Sequence, residues 1–244
     1  MFDFWEKPER STCEVYLRTH REDWFNAVET IASNLPNGIL LDVGSGDLHS
    51  TRQILAQAPQ ITYCDVIEPD NAACKRAKNL AKYCFIGKFY PTTLEKFVPE
   101  KYYDASMTIH ANYYWGKTPS GWSNSEYEGG IDKLNRISGQ IFILGASKQS
   151  QYYNFVEHNP FPEYVHTENI RELLESKGRR VVEIPVPMRF YIGDLKNDSF
   201  AARETWKFFN NTEDEPTKRQ LEKFVDTTKN KTYAVFHDVL LIAK

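Results

Sequence analysis

The spacing of apolar positions changes period repeatedly along this chain, and each change marks an element. Trp24, Val28 and Ile31 recur at helical spacing, and Pro36-Asn37-Gly38 ends that helix. The continuous apolar run of GILLDVGSG, starting at Gly38, reads as a strand buried on both faces. Thr51 to Ala58 is helical in pattern, ITYCDVIEP is a second strand stopped at Pro69, and Asn71 to Ala81 is a helix rich in Ala and Lys. Tyr83 to Ile86 is expected as a short third strand, YYDASMTIHA as a fourth and Gly139 to Leu144 as a fifth. A helix around Ile131 to Ile137 precedes the fifth.

The second half keeps the rhythm. Thr167 to Lys177 is an amphipathic helix ending at Gly178, a residue suited to a left-handed cap. Arg180 to Pro187 reads as a strand, Ser199 to Phe209 and Thr217 to Thr227 as helices, and YAVFHDVLLIAK as a final strand. Strands alternating with helices imply an α/β fold built on a doubly wound, mainly parallel sheet. The sequence has no internal repeat, low-complexity tract or interdomain linker, so one domain over 1–244 is expected.

Composition narrows the class. A chain of 244 residues, 41% hydrophobic and 26% charged, can bury a sizeable core and is not of the disordered type. The net charge of −3 gives no sign of a basic, nucleic-acid-binding surface. No stretch approaches the ~20 apolar residues that cross a bilayer, and MFDFWEKPER lacks the pattern of a signal peptide. A cytoplasmic protein with no membrane or nucleic-acid partner, monomeric or weakly dimeric, is therefore expected. Cys13, Cys64, Cys74 and Cys84 show no metal-type spacing, so reduced thiols and no metal are expected.

The strongest local signal is Asp42-Val43-Gly44-Ser45-Gly46-Asp47, where a buried strand should turn into a helix. Glycines there let backbone approach a ligand closely, and a helix N-terminus favours carboxylate or phosphate. Glu68 follows at the end of the second strand, where an acid accepts hydrogen bonds from ribose hydroxyls. NAD enzymes and S-adenosylmethionine (SAM) enzymes share that pair of features. The dinucleotide fingerprint wants a third glycine where this chain has His49, whereas a SAM site needs no pyrophosphate cradle.

Taken in order, LLDVGSGD, VIEP, YDASMTIHANYYW and the terminal LLIAK resemble class I SAM-dependent methyltransferases. Within them the chain is most similar to the histamine N-methyltransferase family, through YLRTHRED (Tyr16 to Asp23), VIEPDNAA, IHANYYW, VFHDVLLIA and the aromatic helix ETWKFFNNTEDEPTKRQL. The resemblance implies a Rossmann-like seven-stranded sheet with helices on both faces. It also implies an N-terminal substrate-lid segment (1–37) and a helical insertion (195–231) before the last strand. By the same likeness Asp42, Gly44, Ser45 and Gly46 line the methionine part of SAM. Glu68 and Pro69 hold the ribose, Thr92 or Thr93 lies near the adenine, and Ile109 and His110 flank the cofactor. Tyr113, Tyr114 and Trp115 become walls of a substrate pocket, joined by Glu22, His237 and Asp238.

Asp238 stands where the family has an amide, which turns the expectation away from histamine itself. The implied activity is methyl transfer to a small molecule, an amine or heteroaromatic nitrogen, with Glu22, His110 and Asp238 as candidates to orient it and take its proton. Each has a plainer reading: Glu22 as a solvated helix residue, His110 as packing, the aromatics as core cover. The alternatives are a small-molecule O-methyltransferase, a nucleic-acid or protein methyltransferase, and a non-catalytic SAM-fold binding protein. A nucleic-acid enzyme acting on exocyclic amines would carry prolines where this chain reads His110-Ala111-Asn112-Tyr113.

Overall fold

Leu40, Leu41 and Val43 are buried in the strand β1 (Gly38–Val43), which the sheet covers on both edges. The structure is a computed structural model and describes residues 18–81, 85–112, 115–118, 121–155, 165–210, 214–228 and 231–244. Before β1 lies α1 (Arg21–Asn34); after it come α2 (His49–Gln57), β2 (Ile61–Ile67), α3 (Asn71–Ala81), β3 (Ile86–Tyr90) and β4 (Tyr103–Ile109). Two short strands, β5 (Lys117–Thr118) and β6 (Gly121–Trp122), lead to α4 (Asn124–Ile137) and β7 (Ser138–Ala146). The chain continues as α5 (Thr167–Ser176), β8 (Val181–Tyr191), α6 (Ser199–Asn210), α7 (Lys218–Thr227) and β9 (Tyr233–Ala243).

The large sheet has the order β3-β2-β1-β4-β7-β9-β8. Its first five strands pair in parallel. Arg180 and Lys244 exchange both backbone hydrogen bonds while the Ile192 N–H reaches the Thr232 carbonyl, so β8 runs antiparallel to β9. Strand order grows outward from β1 in both directions, which opens a crevice at the carboxyl ends of β1 and β4.

Local chemistry explains the helix ends. Gln60 donates its amide to the carbonyls of Ala32 and Leu35 (2.7 and 3.2 Å), closing α1 just before Pro36. Ser123 caps α4, and Tyr127, Ile131, Leu134 and Ile137 bury one face of it; each large apolar side chain buried this way contributes about 1.5–3 kcal/mol. That helix starts well before the expected Ile131, because Gly129 and Gly130 interrupt the apolar pattern without interrupting the helix. The expected cap at Gly178 is present, with φ +82°.

The third strand is a correction: it spans Ile86–Tyr90, so it shares only Ile86 with the expected Tyr83–Ile86, of which Tyr83 and Cys84 lie outside the described residues. Asp65 is the reason. Its side chain is fully buried and accepts from the Lys88 N–H (2.7 Å), the Tyr103 hydroxyl (3.0 Å) and the Lys101 ammonium (2.8 Å). A Cβ on Gly87 would lie 2.4 Å from Asp65 Oδ1, so the strand passes Asp65 at the glycine. Burial opposes the charge of Lys101, yet Asp65 and the Tyr63 hydroxyl hold its pKa above the usual lysine value. Burial foremost, then Asp65, raises the Tyr103 phenol.

The chain divides into two compact units. The first comprises Met1–Phe25, Gln149–Pro162 and Val186–Asp238, the second Asn26–Lys148, Glu163–Pro185 and Val239–Lys244. The first has an aromatic core in which Phe155 stacks on Phe209 and Phe190 on Phe236, with Trp206 and Phe224 beside them. Tyr152 joins it, donating its hydroxyl to the Phe209 carbonyl at 3.1 Å. The second carries β1 to β4 and β7, with the loops that follow β1 to β4. Among the described residues no helix is long and apolar enough to cross a membrane.

Candidate functional site

The loop from β1 into α2 is held by backbone that only glycine adopts without strain. Gly44 has φ +78° and Gly46 φ +56°. The Gly44 N–H donates to the Ile67 carbonyl at 2.8 Å, and a Cβ there would sit 2.5 Å from that of Ala111. The loop is thereby pressed between the ends of β2 and β4. Gly46 differs: among the described residues a Cβ built on it meets nothing within 4 Å, so its face of the loop is open to them.

Glu68 completes the clasp. It is 8% exposed at the end of β2, and its Oε2 accepts from the Gly46 N–H at 2.8 Å while Oε1 accepts from the Asp70 N–H at 2.8 Å. Its own N–H donates to the Tyr90 carbonyl at the end of β3 (3.1 Å). A carboxylate can accept about four hydrogen bonds through its two oxygens, as many as a clasp and a diol together ask of it.

Asp42 lies beneath the loop, and the Thr51 hydroxyl on α2 donates to its Oδ2. Burial foremost lifts its pKa from 3.8 to about 7; the Thr51 bond opposes that rise and the Glu68 charge adds to it. His49, at the start of α2, bonds Gln53 through its Nε2 (3.0 Å) and is lowered by burial and then by Arg52.

Two strained positions and two buried polar atoms lie at the same end of the sheet. Among the described residues the non-glycine positions at positive φ are Leu48 (+71°), just before α2, and His110 (+50°), just after β4. Thr93 Oγ1, after β3, and Asn112 Oδ1, after β4, are buried without a hydrogen-bond partner among the described residues. Asn112 donates its amide to Tyr127 (3.2 Å) and to the Val165 carbonyl (3.4 Å).

The residues named for a cofactor thus fall within the second unit. Asp42, Gly44, Ser45, Gly46 and Glu68 form the clasp, and exposed Pro69 follows it. Thr92 and Thr93 lie at the end of β3, where the Thr92 N–H bonds the Tyr90 carbonyl. Ile109 and His110 end β4, the His110 N–H donating to Leu144 at 3.0 Å.

Those named for a substrate are dispersed. Trp115, 5% exposed, packs on Tyr127 at 5.9 Å in the second unit. Glu22, His237 and Asp238 belong to the first unit: Glu22 exposed in the opening turn of α1, His237 exposed and Asp238 buried on β9. Asp23, beside Glu22, is the acid with a strong partner, held below the usual carboxylate range chiefly by the Arg189 guanidinium at 2.7 Å. Tyr113 and Tyr114 lie outside the described residues. Sequence reasoning missed Thr51, Ala111 and Asn112, whose roles depend on neighbours that only the fold supplies.

No family model matches the chain, and no curated protein matches it by sequence. Solved structures do match. The YcgJ protein of Bacillus subtilis aligns over 92% of this chain and 97% of its own, at 13% identity and a TM-score of 0.60. A SAM-dependent methyltransferase of Leishmania major aligns over 91% and 71%, at 15% identity and 0.56. The fold is that of the class I methyltransferases. The N-methyltransferase NodS of Bradyrhizobium japonicum adds a third likeness, over 68% of this chain and 86% of its own, at 14% identity and 0.50.

Proposed function

We propose that the protein is a SAM-dependent methyltransferase whose acceptor is a small molecule, an amine or heteroaromatic nitrogen. The observation that carries the reading is Glu68 gripping the Gly46 N–H beneath an open stretch of glycine loop, in a fold of class I methyltransferase type. The residues present suit SAM: Glu68 is an acceptor of the type that binds ribose hydroxyls, and the bare face of Gly46 admits the methionine tail. The orphaned Thr93 hydroxyl offers a bond to the adenine.

When bound, SAM supplies a methyl group on a cationic sulfur that is already an activated leaving group. The protein's part is then to position and to exclude water, which can supply roughly 7–11 kcal/mol of the barrier. The fixed Gly44 backbone and the Glu68 grip hold the cofactor side of that geometry. The likeness to histamine N-methyltransferases directs the proposal to a nitrogen acceptor; the structural neighbours include both N- and O-methyltransferases. An amine must arrive unprotonated, and His110, after β4 in the same unit as the clasp, is the residue offered to orient it and take its proton.

Calorimetric titration tests the core of this. SAM and S-adenosylhomocysteine (SAH) are expected to bind the native chain, and Glu68→Ala should abolish both. Tight NAD binding in their place, or SAM binding untouched by Glu68→Ala, would overturn the reading.

A further inference from the structure

Asp42 is a buried acid two residues before Gly44 of the glycine loop, and the described elements around it supply no opposite charge. From α2 it meets the neutral Thr51 hydroxyl, from β4 its paired neighbour is Met107, and from the end of β2 the nearby group is the like-charged Glu68. The remaining support is the backbone N–H of Val43. Among the described residues no lysine or arginine pairs with it; Arg76 reaches instead for Asp47, at 4.0 Å. The other titratable group at the start of α2, His49, has its pKa lowered by burial and then by Arg52. An ionised carboxylate in such a place is poorly compensated, and a cation brought alongside it improves its situation.

The two ligands of the proposed cofactor site differ in just this respect. SAM carries a sulfonium and a net positive charge, whereas its product SAH carries a neutral sulfur and no net charge. We propose, resting on the SAM reading above, that Asp42 clasped by Thr51 makes the glycine loop charge-selective. Ionised, Asp42 favours cationic SAM over SAH; protonated, it loses that preference. Discharge of the methyl group then weakens the hold on the spent cofactor, and the bias is greatest where Asp42 is ionised.

The test is calorimetric titration of the full chain with SAM and with SAH, at about pH 6 and about pH 8, on either side of the Asp42 value near 7. The ratio of SAM to SAH affinity is expected to rise roughly tenfold between the two in the native chain, the size of one screened charge interaction. In Asp42→Asn the ratio should stay at its low-pH level throughout. The amino group of each ligand titrates alike with both proteins, so that comparison removes its contribution. Thr51→Val keeps the acid but removes its donor, and the rise should then move to higher pH. SAM and SAH gaining affinity in parallel, or a rise that survives in Asp42→Asn, would overturn the selectivity alone. Binding of neither ligand would overturn it together with the cofactor reading.

Discussion

Asp42 and Asp65 are buried carboxylates on adjacent strands of one sheet, and the protein treats them in opposite ways. Asp65 accepts from an ammonium, a phenol and a backbone N–H, so each oxygen is occupied and its charge is matched. Asp42 has a hydroxyl and a like-charged neighbour, and its pKa rises to about 7. The first arrangement fixes the position of β3. The second stores unfavourable charge next to a loop that carries strained backbone. The structural chemistry of Asp65 is complete in itself, whereas the binding chemistry proposed for Asp42 is incomplete until a ligand arrives.

One substitution made at both positions gives the largest expected effects, and with opposite signs. Asp65→Asn leaves Lys101 without its carboxylate and should cost about 3–5 kcal/mol of stability, read by denaturant unfolding. Asp42→Asn should stabilise. The folded value lies above 3.8, so the native state holds a proton that the unfolded chain has already lost. Stability therefore falls as pH climbs from about 4 to about 7, and the full deficit, roughly 4 kcal/mol as an upper figure, is present above that. Asp42→Asn should recover it at about pH 8 and gain nothing near pH 4. Equal losses in both variants at about pH 8 would erase the distinction between the two acids.

This contrast also marks how far the sequence could be read. β1, the glycine loop and Glu68 were legible because motif and partner sit at strand ends whose order follows from alternation. The antiparallel end of the sheet was not, since YAVFHDVLLIAK carries no mark of direction. The third strand was misplaced by Tyr83-Cys84-Phe85, an apolar run that outweighs Gly87 and Lys88 in pattern. Asp65 decides the matter through contacts with Tyr103 and Lys101, far along the chain. Thr51 went unnoticed because α2 begins at His49; its hydroxyl faces Asp42 only once that start is known. For the substrate side, a resemblance named residues on α1, β9 and the loop after β4, and spacing alone offers no test of such a set.

The two loop glycines sharpen the comparison at intermediate size. Gly44→Ala would drive a Cβ to 2.5 Å from that of Ala111 and add the penalty of positive φ. Overpacking of about 1–3 kcal/mol and a backbone cost of about 1–2 kcal/mol should both appear as lost stability. Gly46→Ala meets no neighbour, so the backbone cost alone applies, yet the new methyl stands on the open face. Thermal unfolding should separate the two clearly, while SAM titration should show binding impaired in both. A Gly46→Ala variant that binds SAM normally would mean that the ligand does not use that face.

The smallest effect contrasts two threonines at this end of the sheet. Thr51 donates to a carboxylate, and Thr93 Oγ1 is buried with no partner. Replacing each by valine keeps the shape and removes the hydroxyl. At about pH 8, Thr51→Val should lose roughly 1.5–3 kcal/mol, as befits a bond to a charged group. Thr93→Val should lose nothing in the ligand-free protein and gain up to about 1 kcal/mol, because an unsatisfied polar atom has left the interior. Its cost should emerge in SAM titration, as an affinity weakened by about two- to tenfold, the worth of one neutral hydrogen bond. If Thr93→Val destabilises the ligand-free fold as much as Thr51→Val does, its hydroxyl already has a partner within the protein, and the end of β3 is no part of the site.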